Sequence, residues 1–278
     1  REVGELKTLI GEAIAAGFYN IDIDASTLVD LDRPTLEAQQ EVNCRVNAEL
    51  TAHIRGLEPP GVTVSVGGEI GEVGGKNTTV EEFQVFMKGY LRELEKLRKG
   101  ARGISKISIQ TGTSHGGVPL PDGTIARVKI DFNALRQISE AARQEYGLSG
   151  AVQHGASTLP EEAFGKFPET GTAEIHLATG FQNIILDSAA FPDSVRERIY
   201  AYLRTDLAGE KKEKDTEEQF LYKARKKGFG PFKKDLWDLP PGTLAAIGGE
   251  LEERFAFLFR KLNIAGTSGV LRKWVRPV

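Results

Sequence analysis

The sequence has a single cysteine, little net charge and no long apolar run. Cys44 alone cannot form an internal disulfide and fits a reducing compartment, which predicts a cytoplasmic protein. A formal net charge of −3 gives no overall attraction to nucleic acid or to an anionic membrane, so neither is predicted as a partner. No apolar run approaches the length of a transmembrane helix, and no signal peptide is visible.

Apolar periodicity alternates between strand and helix along the first two thirds of the chain. Helical spacing separates strand-like runs at residues 18–25, 62–66, 104–111, 150–154 and 173–178. This pattern predicts an α/β chain with a parallel sheet. Only helices are predicted after the fifth run. The 278 residues, of which 40% are hydrophobic, are enough for a large domain with a full core.

Three helix starts have recognisable caps. Asp32 is predicted to cap a helix with Pro34 in its first turn, Thr79 and Glu82 form a capping box, and Asp131 caps a later helix.

Residues suited to chemistry follow the strand ends. In a (β/α)8 barrel, active sites lie at the face formed by the C-terminal ends of the strands. A doubly wound sheet would also place ligands there, but no glycine fingerprint of the kind it normally carries is found. The residues alone leave both folds open, and the missing fingerprint favours a (β/α)8 TIM barrel.

The stretch at residues 107–117, ISIQTGTSHGG, organises the chain. Ile107 and Ile109 lie on one face of the predicted strand, Ser108 and Gln110 lie on the other, and the strand leads to His115. Residues 151–157, AVQHGAS, repeat the design with His154. Because imidazole is a common metal ligand and glycine admits a phosphate close to backbone N–H groups, the pair predicts a metal site. The alternative for either histidine alone is an ordinary polar strand end.

At these residues the sequence resembles the class II, metal-dependent fructose-bisphosphate aldolases. The likeness covers most of residues 10–185 and rests on the order and spacing of several motifs. The similar pairs are AIAAGFYNIDIDAS (13–26) with a motif ending in M-I-D-x-S, VSVGGEIGEVGG (64–75) with V-E-x-E-L-G-x-x-G-G, TGTSHG (111–116) with G-T-x-H-G, QHGAS (153–157) with L-H-G-G-S-G, and residues 173–179 with K-I-N-I-x-T.

The resemblance implies a barrel in which the five strands correspond to strands four to eight. It implies Zn²⁺, or another divalent metal, held by three histidines, two of which map to His115 and His154. The third belongs to an Asp-His pair on the third barrel strand, which has no counterpart here. We therefore expect roughly three more βα units, about 100 residues, before Arg1. Without them, apolar strand residues such as Val64, Val66, Ile107 and Ile109 are expected to lack partners on one side.

Further roles follow residue by residue. Asp24 and Glu69 are the catalytic candidates, and Glu69 is also a candidate metal ligand. The alternatives are a loop hydrogen bond for Asp24, and for Glu69 a buried hydrogen bond or the holding of a histidine. The substrate and its phosphates are expected at Gly116, Gly155, Ala156, Ser157, His176, Ala178, Thr179 and Arg225.

Several positions depart from the family's motifs. Gly67 replaces the first glutamate of E-x-E, Lys76 and Asn77 replace acidic residues, and His176 replaces the asparagine that contacts the ketose phosphate. Arg225 lies in a segment similar to Y-D-P-R, whose arginine reaches a neighbouring subunit's substrate phosphate. An exposed basic face is the alternative for residues 223–227.

The predicted function is cleavage of fructose-1,6-bisphosphate to dihydroxyacetone phosphate and an aldehyde phosphate by a retro-aldol reaction. Alternatives are tagatose-1,6-bisphosphate, another sugar phosphate, or a non-catalytic homologue that acts as a partner subunit. A homo-oligomer, either a dimer or a tetramer, is expected. Residues 1–190 are predicted to form the barrel and 191–278 a C-terminal helical extension. Residues 209–234 are expected to pack on a neighbouring subunit or on the barrel mouth.

Overall fold

A computed structural model of the chain describes residues 2–71, 76–113, 117–120, 125–126 and 129–275. Its helices are α1 (Glu2–Ala15), α2 (Leu36–Leu57), α3 (Val80–Leu97), α4 (Phe132–Tyr146), α5 (Glu161–Phe164), α6 (Lys166–Glu169), α7 (Thr179–Asp187), α8 (Asp193–Asp206), α9 (Glu217–Ala224), α10 (Lys233–Trp237), α11 (Pro241–Lys261) and α12 (Ser268–Trp274). None of the helices in these ranges combines the length and the apolarity that crossing a membrane requires.

Five strands form one sheet in sequence order: β1 (Asn20–Ile23), β2 (Ser65–Glu69), β3 (Lys106–Ile109), β4 (Ala151–Gln153) and β5 (Glu174–Ile175). Every neighbouring pair is parallel. This confirms the predicted α/β class, and an open parallel sheet with helical crossovers is consistent with part of a (β/α)8 barrel.

The chain divides into two compact units. The first comprises Arg1–Thr113, Lys129–His154 and Glu169–His176, and it contains the whole sheet. The second comprises Ser114–Val128, Gly155–Pro168 and Leu177–Val278.

Two predicted helix caps are confirmed and one is wrong. Thr79 and Glu82 form the reciprocal capping box of α3, and the Asp131 side chain caps α4. The helix expected to begin at Asp32 instead begins at Leu36, where the Thr35 side chain accepts a hydrogen bond from Ala38 N. Pro34 disfavours helical backbone at Arg33, the residue before it, so a helix capped by Asp32 would begin at an unfavourable position.

The second strand lies further along the chain than predicted. β2 includes Gly67 and Gly68, which read as a loop in the sequence. A side chain at Gly67 would collide with the carboxylate of Asp22, and a Cβ at Gly68 would lie 3.2 Å from Asn47 Oδ1. Neighbouring side chains fill the space on both faces of this strand, so glycine is the residue that fits at these two positions.

The two faces of the sheet differ in polarity. Paired residues of parallel strands share a face, which puts Asp22, Glu69, Lys106, Ser108 and Glu174 together. We call this the polar face of the sheet. The alternation predicted for Ile107, Ser108 and Ile109 is thus confirmed, whereas Gln110 lies beyond the end of β3.

The opposite face is apolar and covered. Val64, Val66, Ile107 and Ile109 are at most 1% exposed, and the contact between Gly68 and Asn47 places α2 on this side. The expectation that these side chains would lack partners is wrong, because helices cover this face. Each buried side chain of this kind contributes roughly 1.5–3 kcal/mol.

The interface between α2 and the sheet carries amides as well as apolar groups. Asn43 Nδ2 donates to the carbonyl of Glu69 at 2.9 Å, and Gln40 Nε2 donates to the carbonyl of Ile70 at 3.1 Å. Both amides are buried, so they satisfy carbonyl groups where β2 ends. They fix the backbone on which Glu69 is carried.

The second unit has its own apolar core. Its buried residues are Leu186, Phe191, Ile199, Leu203, Phe220, Leu221, Ala224, Leu239 and Ile247. Part of the 209–234 segment therefore packs into its own unit, whereas its packing on a neighbouring subunit or a barrel mouth stays a prediction.

The sequence did not predict α7, α9, α10 or α12, because short helices offer few periodic positions.

The close approach of α2 and α3 gives a stability prediction. A Cβ at Gly89 of α3 would lie 2.8 Å from Cys44 Sγ of α2, whereas at Gly11 of α1 it would meet only Leu57 Cδ1 at 3.8 Å. Gly89→Ala should lower the free energy of unfolding by about 1–3 kcal/mol through overpacking. Gly11→Ala, the control, should raise it by up to about 1 kcal/mol. Urea unfolding measures both.

A second substitution checks the cause. Cys44→Ala removes the sulfur, so the combination with Gly89→Ala should recover part of the loss. An additive double variant would show that the Cys44–Gly89 contact is not responsible.

Candidate functional site

Glu69 and His154 meet at the carboxyl-terminal ends of their strands. Glu69 ends β2 and is buried, and His154 follows β4 directly. His154 Nδ1 lies 3.5 Å from Glu69 Oε2, and Nε2 lies 3.1 Å from Ser108 Oγ on the intervening strand β3. The parallel sheet thus brings together two residues that are distant in sequence.

The surroundings of His154 favour a positive charge. Burial by itself lowers the pKa of this imidazole. The hydrogen bond and the negative charge of Glu69, with the charges of Asp22 and Asp24, more than offset burial, so the net pKa lies above its ordinary value. The negative charges around His154 therefore favour a proton on its ring.

His176 extends the site. Its ring stacks on that of His154 with centroids 4.6 Å apart. Its Nε2 lies 3.1 Å from Glu174 Oε2 and 3.4 Å from Asp22 Oδ2. Ligand atoms of Asp22, Glu174 and His176 all lie within 4.8 Å of one another, which is close enough for one cation.

Lys106 already supplies a positive charge to the two carboxylates. Its Nζ lies 2.7 Å from Glu174 Oε2 and 3.1 Å from Asp22 Oδ1, and it also donates to Asn20 Oδ1. The hydrogen bond from His176, followed by that of Lys106, lowers the pKa of Glu174 to about 2 against the opposing effect of burial. Sequence reasoning missed Lys106 and Glu174, although the alternation of β3 and β5 places both on the polar face of the sheet.

Asp24 has a local role. Its Oδ1 accepts hydrogen bonds from Ser26 N at 3.0 Å and from Ser26 Oγ at 2.6 Å, as in the loop alternative. Its assignment as a catalytic residue stays a prediction. His115 and Gly116 lie outside the described residues, and so does the expected contact between His115 and His154.

The loop after β4 contacts the start of α7 within the second unit. Gly155 has a φ of +67°, and residues Ala156–Thr158 form a single turn. Ser157 Oγ accepts a hydrogen bond from Ala178 N at 3.3 Å, and a Cβ at Gly180 would lie 3.3 Å from the Ser157 carbonyl. Five of the predicted phosphate positions, Gly155, Ala156, Ser157, Ala178 and Thr179, are thus grouped at the N-terminus of α7, which lacks a side-chain cap and is suited to anions.

Arg225 is buried in the second unit. Its guanidinium contacts Asp187 Oδ1 at 2.5 Å and Oδ2 at 2.8 Å, and Nη2 donates to Asn183 Oδ1 at 2.7 Å. The exposed basic face is therefore wrong for Arg225, although Lys226 and Lys227 are exposed. Its reach to a neighbouring subunit's substrate stays a prediction.

One small cavity is lined in part by candidate phosphate residues. It has a volume of about 180 Å³ and is lined by Gly117, Thr179, Gln182, Asn183, Tyr222, Lys223, Arg225 and Lys226. Thr179 and Arg225, predicted separately from the sequence, therefore line the same cavity.

Histidine and carboxylate side chains at the carboxyl-terminal ends of parallel strands are typical of the active-site face of α/β barrels. The sequence pattern of the family described as "Fructose-bisphosphate aldolase class-II" matches residues 4–229. The chain belongs to this family. No curated protein sequence matches it.

Two solved structures show the same fold. A probable tagatose 6 phosphate kinase from Sinorhizobium meliloti 1021 has 18% identity and a TM-score of 0.58, with 98% of this chain and 70% of that chain covered. A fructose-bisphosphate aldolase from Campylobacter jejuni has 18% identity and a TM-score of 0.52, with 95% and 68% covered. At these identities the likeness concerns the fold.

The donor set fits the divalent ion that the family implies. Imidazole nitrogen and carboxylate oxygen are both ligands for Zn²⁺, and Glu69 and His154 offer them in surroundings that favour positive charge. Asp22 and Glu174 are less available, because the ammonium of Lys106 already contacts both.

A metal-binding experiment tests this arrangement. We expect His154→Ala to weaken Zn²⁺ binding at least tenfold. Glu69→Gln should also weaken binding, since a neutral amide is a poorer partner for a cation than a carboxylate, but by a smaller factor. His53→Ala is the control, because His53 is a residue of α2 whose Nε2 lies 3.1 Å from the Lys7 carbonyl. Titration calorimetry gives the affinities. Binding by His154→Ala that equals the parent would contradict the assignment.

The Arg225 pair gives a stability prediction. Asp187→Asn removes the charge that compensates a buried guanidinium and should cost about 1–2 kcal/mol, a figure reduced because the Asp187 side chain is 58% exposed. Asp238→Asn, which breaks an exposed pair with Lys234, should leave the urea midpoint unchanged. Equal effects would show that burial of Arg225 is not decisive.

Proposed function

We propose that this chain is a metal-dependent aldolase that cleaves a ketose bisphosphate, with fructose-1,6-bisphosphate as the first candidate substrate. The observation that carries the proposal is the Glu69–His154 pair stacked beside His176, in a chain of the class-II family. The five strands are proposed to be strands four to eight of a (β/α)8 barrel, with residues 1–190 in the barrel and 191–278 as its helical extension.

The proposed metal site uses His154 and Glu69, together with His115 outside the described residues. Retro-aldol cleavage leaves an enediolate, whose charge a bound Zn²⁺ or another divalent ion stabilises as a Lewis acid. Glu69 either binds the ion directly or holds the ring of His154, and their 3.5 Å separation is compatible with both roles.

The chain's own groups are proposed to hold the rest of the substrate. Backbone N–H groups at Gly155, Ala156, Ser157 and Thr179 are suited to one phosphate, and the N–H of Ala178 holds the Ser157 side chain beside them. Arg225 and the cavity it shares with Thr179 are suited to a second anionic group. His176 stands where the family's motif has the asparagine that contacts the ketose phosphate, and it is proposed to contact oxygen atoms of the substrate.

One observation favours a second candidate substrate. The imidazole of His176 is held by Glu174 and Asp22 where the family's motif has an uncharged amide. A ring of fixed orientation presents different hydrogen-bonding groups from an amide, which favours another sugar phosphate, such as tagatose-1,6-bisphosphate.

A substrate panel tests the proposal. Purified protein with Zn²⁺ should release dihydroxyacetone phosphate from at least one ketose bisphosphate, and a chelator should stop the release. We expect His154→Ala to reduce kcat/KM by about a thousandfold, consistent with loss of transition-state charge stabilisation. His53→Ala should leave it unchanged. We expect His176→Asn to shift the ratio of activities on fructose- and tagatose-1,6-bisphosphate.

Three outcomes would contradict the proposal. Zn²⁺ binding without cleavage of any ketose bisphosphate would favour another sugar phosphate as the substrate, whereas the absence of both would favour a non-catalytic homologue. Cleavage that persists in a chelator and in His154→Ala would show that the metal site is placed wrongly.

A further inference from the structure

Lys106 is a buried lysine on the polar face of the sheet. Its side chain is 2% exposed, and lysine is almost never buried to this degree without charged partners. The ammonium contacts Glu174 Oε1 at 2.8 Å and Oε2 at 2.7 Å, and Asp22 Oδ1 at 3.1 Å. The proposed metal site and phosphate site do not use this residue.

The carboxylates that Lys106 holds also hold His176. Glu174 Oε2 accepts from Lys106 and lies 3.1 Å from His176 Nε2, while the other oxygen of Asp22, Oδ2, lies 3.4 Å from the same nitrogen. Among the described residues, both close polar contacts of this imidazole are therefore at Nε2, so Nδ1 is the ring nitrogen open to a ligand.

We propose that Lys106 is a positioning residue that holds Asp22 and Glu174 together and thereby fixes the ring of His176 beside His154, which sets the sugar phosphates that the site accepts. The substrate clause rests on the proposed function. The clause on ring position does not, and it has a separate readout.

The physical basis is the repulsion that Lys106 removes. Asp22 and Glu174 place two carboxylates around one imidazole nitrogen, and without the ammonium these like charges oppose one another in a partly buried site. One carboxylate would then turn away or take up a proton, and His176 would lose a fixed partner. Gly67 contributes, because only a residue without a side chain leaves room for Asp22 here.

The test combines histidine spectra with kinetics on the protein as purified. The chain has four histidines, so substitution assigns the long-range ¹H–¹⁵N signals of His154 and His176. We expect Lys106→Met to move or broaden the His176 signals, and to lower kcat/KM on the preferred ketose bisphosphate within the range of about 10–100-fold that loss of a supporting residue costs. Lys106→Arg, which keeps the charge, should restore much of both.

Two further variants make the result decisive. Glu174→Gln keeps Lys106 but breaks the link to His176, so it should reproduce the change in the His176 signals, and it replaces Lys106→Met as the test if that variant does not fold. Lys88→Met, at an exposed lysine of α3, is the control.

Unchanged His176 signals in folded Lys106→Met and Glu174→Gln would overturn the proposal, even where thermal stability falls, because a purely structural lysine predicts that result. If the parent protein cleaves no ketose bisphosphate, the proposed function fails, and the spectra still decide whether Lys106 positions the ring.

Discussion

Negative charge on the polar face of the sheet has to be balanced, and the arrangement of the site depends on how this is achieved. Asp22 and Glu174 are neutralised from within by Lys106, whose ammonium is fixed to β3. Glu69 faces His154, and the raised pKa of that imidazole reflects a local field that still favours positive charge. Because one end of the face carries its own cation, we propose that the divalent ion binds at the other end, beside Glu69 and His154.

The opposite face of the sheet makes this polar arrangement possible. Apolar side chains of β2 and β3 pack under the helices, and the amides of Gln40 and Asn43 bind the carbonyls at the end of β2. These amides donate to the carbonyl groups of Glu69 and Ile70, so the backbone of Glu69 is held in place while its carboxylate faces His154. Packing on one side therefore sets the geometry of the charged groups on the other.

Sequence reasoning predicted what depends on local pattern. The parallel α/β class, the capping box at Thr79 and the strand-end position of His154 all follow from periodicity and spacing. It missed what depends on contacts between distant residues. Nothing near Lys106 in sequence indicates its partners, because Asp22 and Glu174 come from two other strands. The boundary of β2 was misplaced for the same reason, since Gly67 and Gly68 belong to a strand only when neighbours fill their space.

Two positions that differ from the family's motifs lie beside charged groups that other strands bring to the polar face. The glutamate expected at Gly67 is absent, but the carboxylate of Asp22 on β1 occupies the space its side chain would need. The first position of the segment similar to K-I-N-I-x-T is Glu174 in this chain, and the ammonium of Lys106 contacts its carboxylate from β3. In each case the charge found on the polar face comes from a strand other than the one that carries the motif. His176 stands where the motif has an asparagine and is held by Glu174 and Asp22, so the proposed choice of substrate rests on this departure.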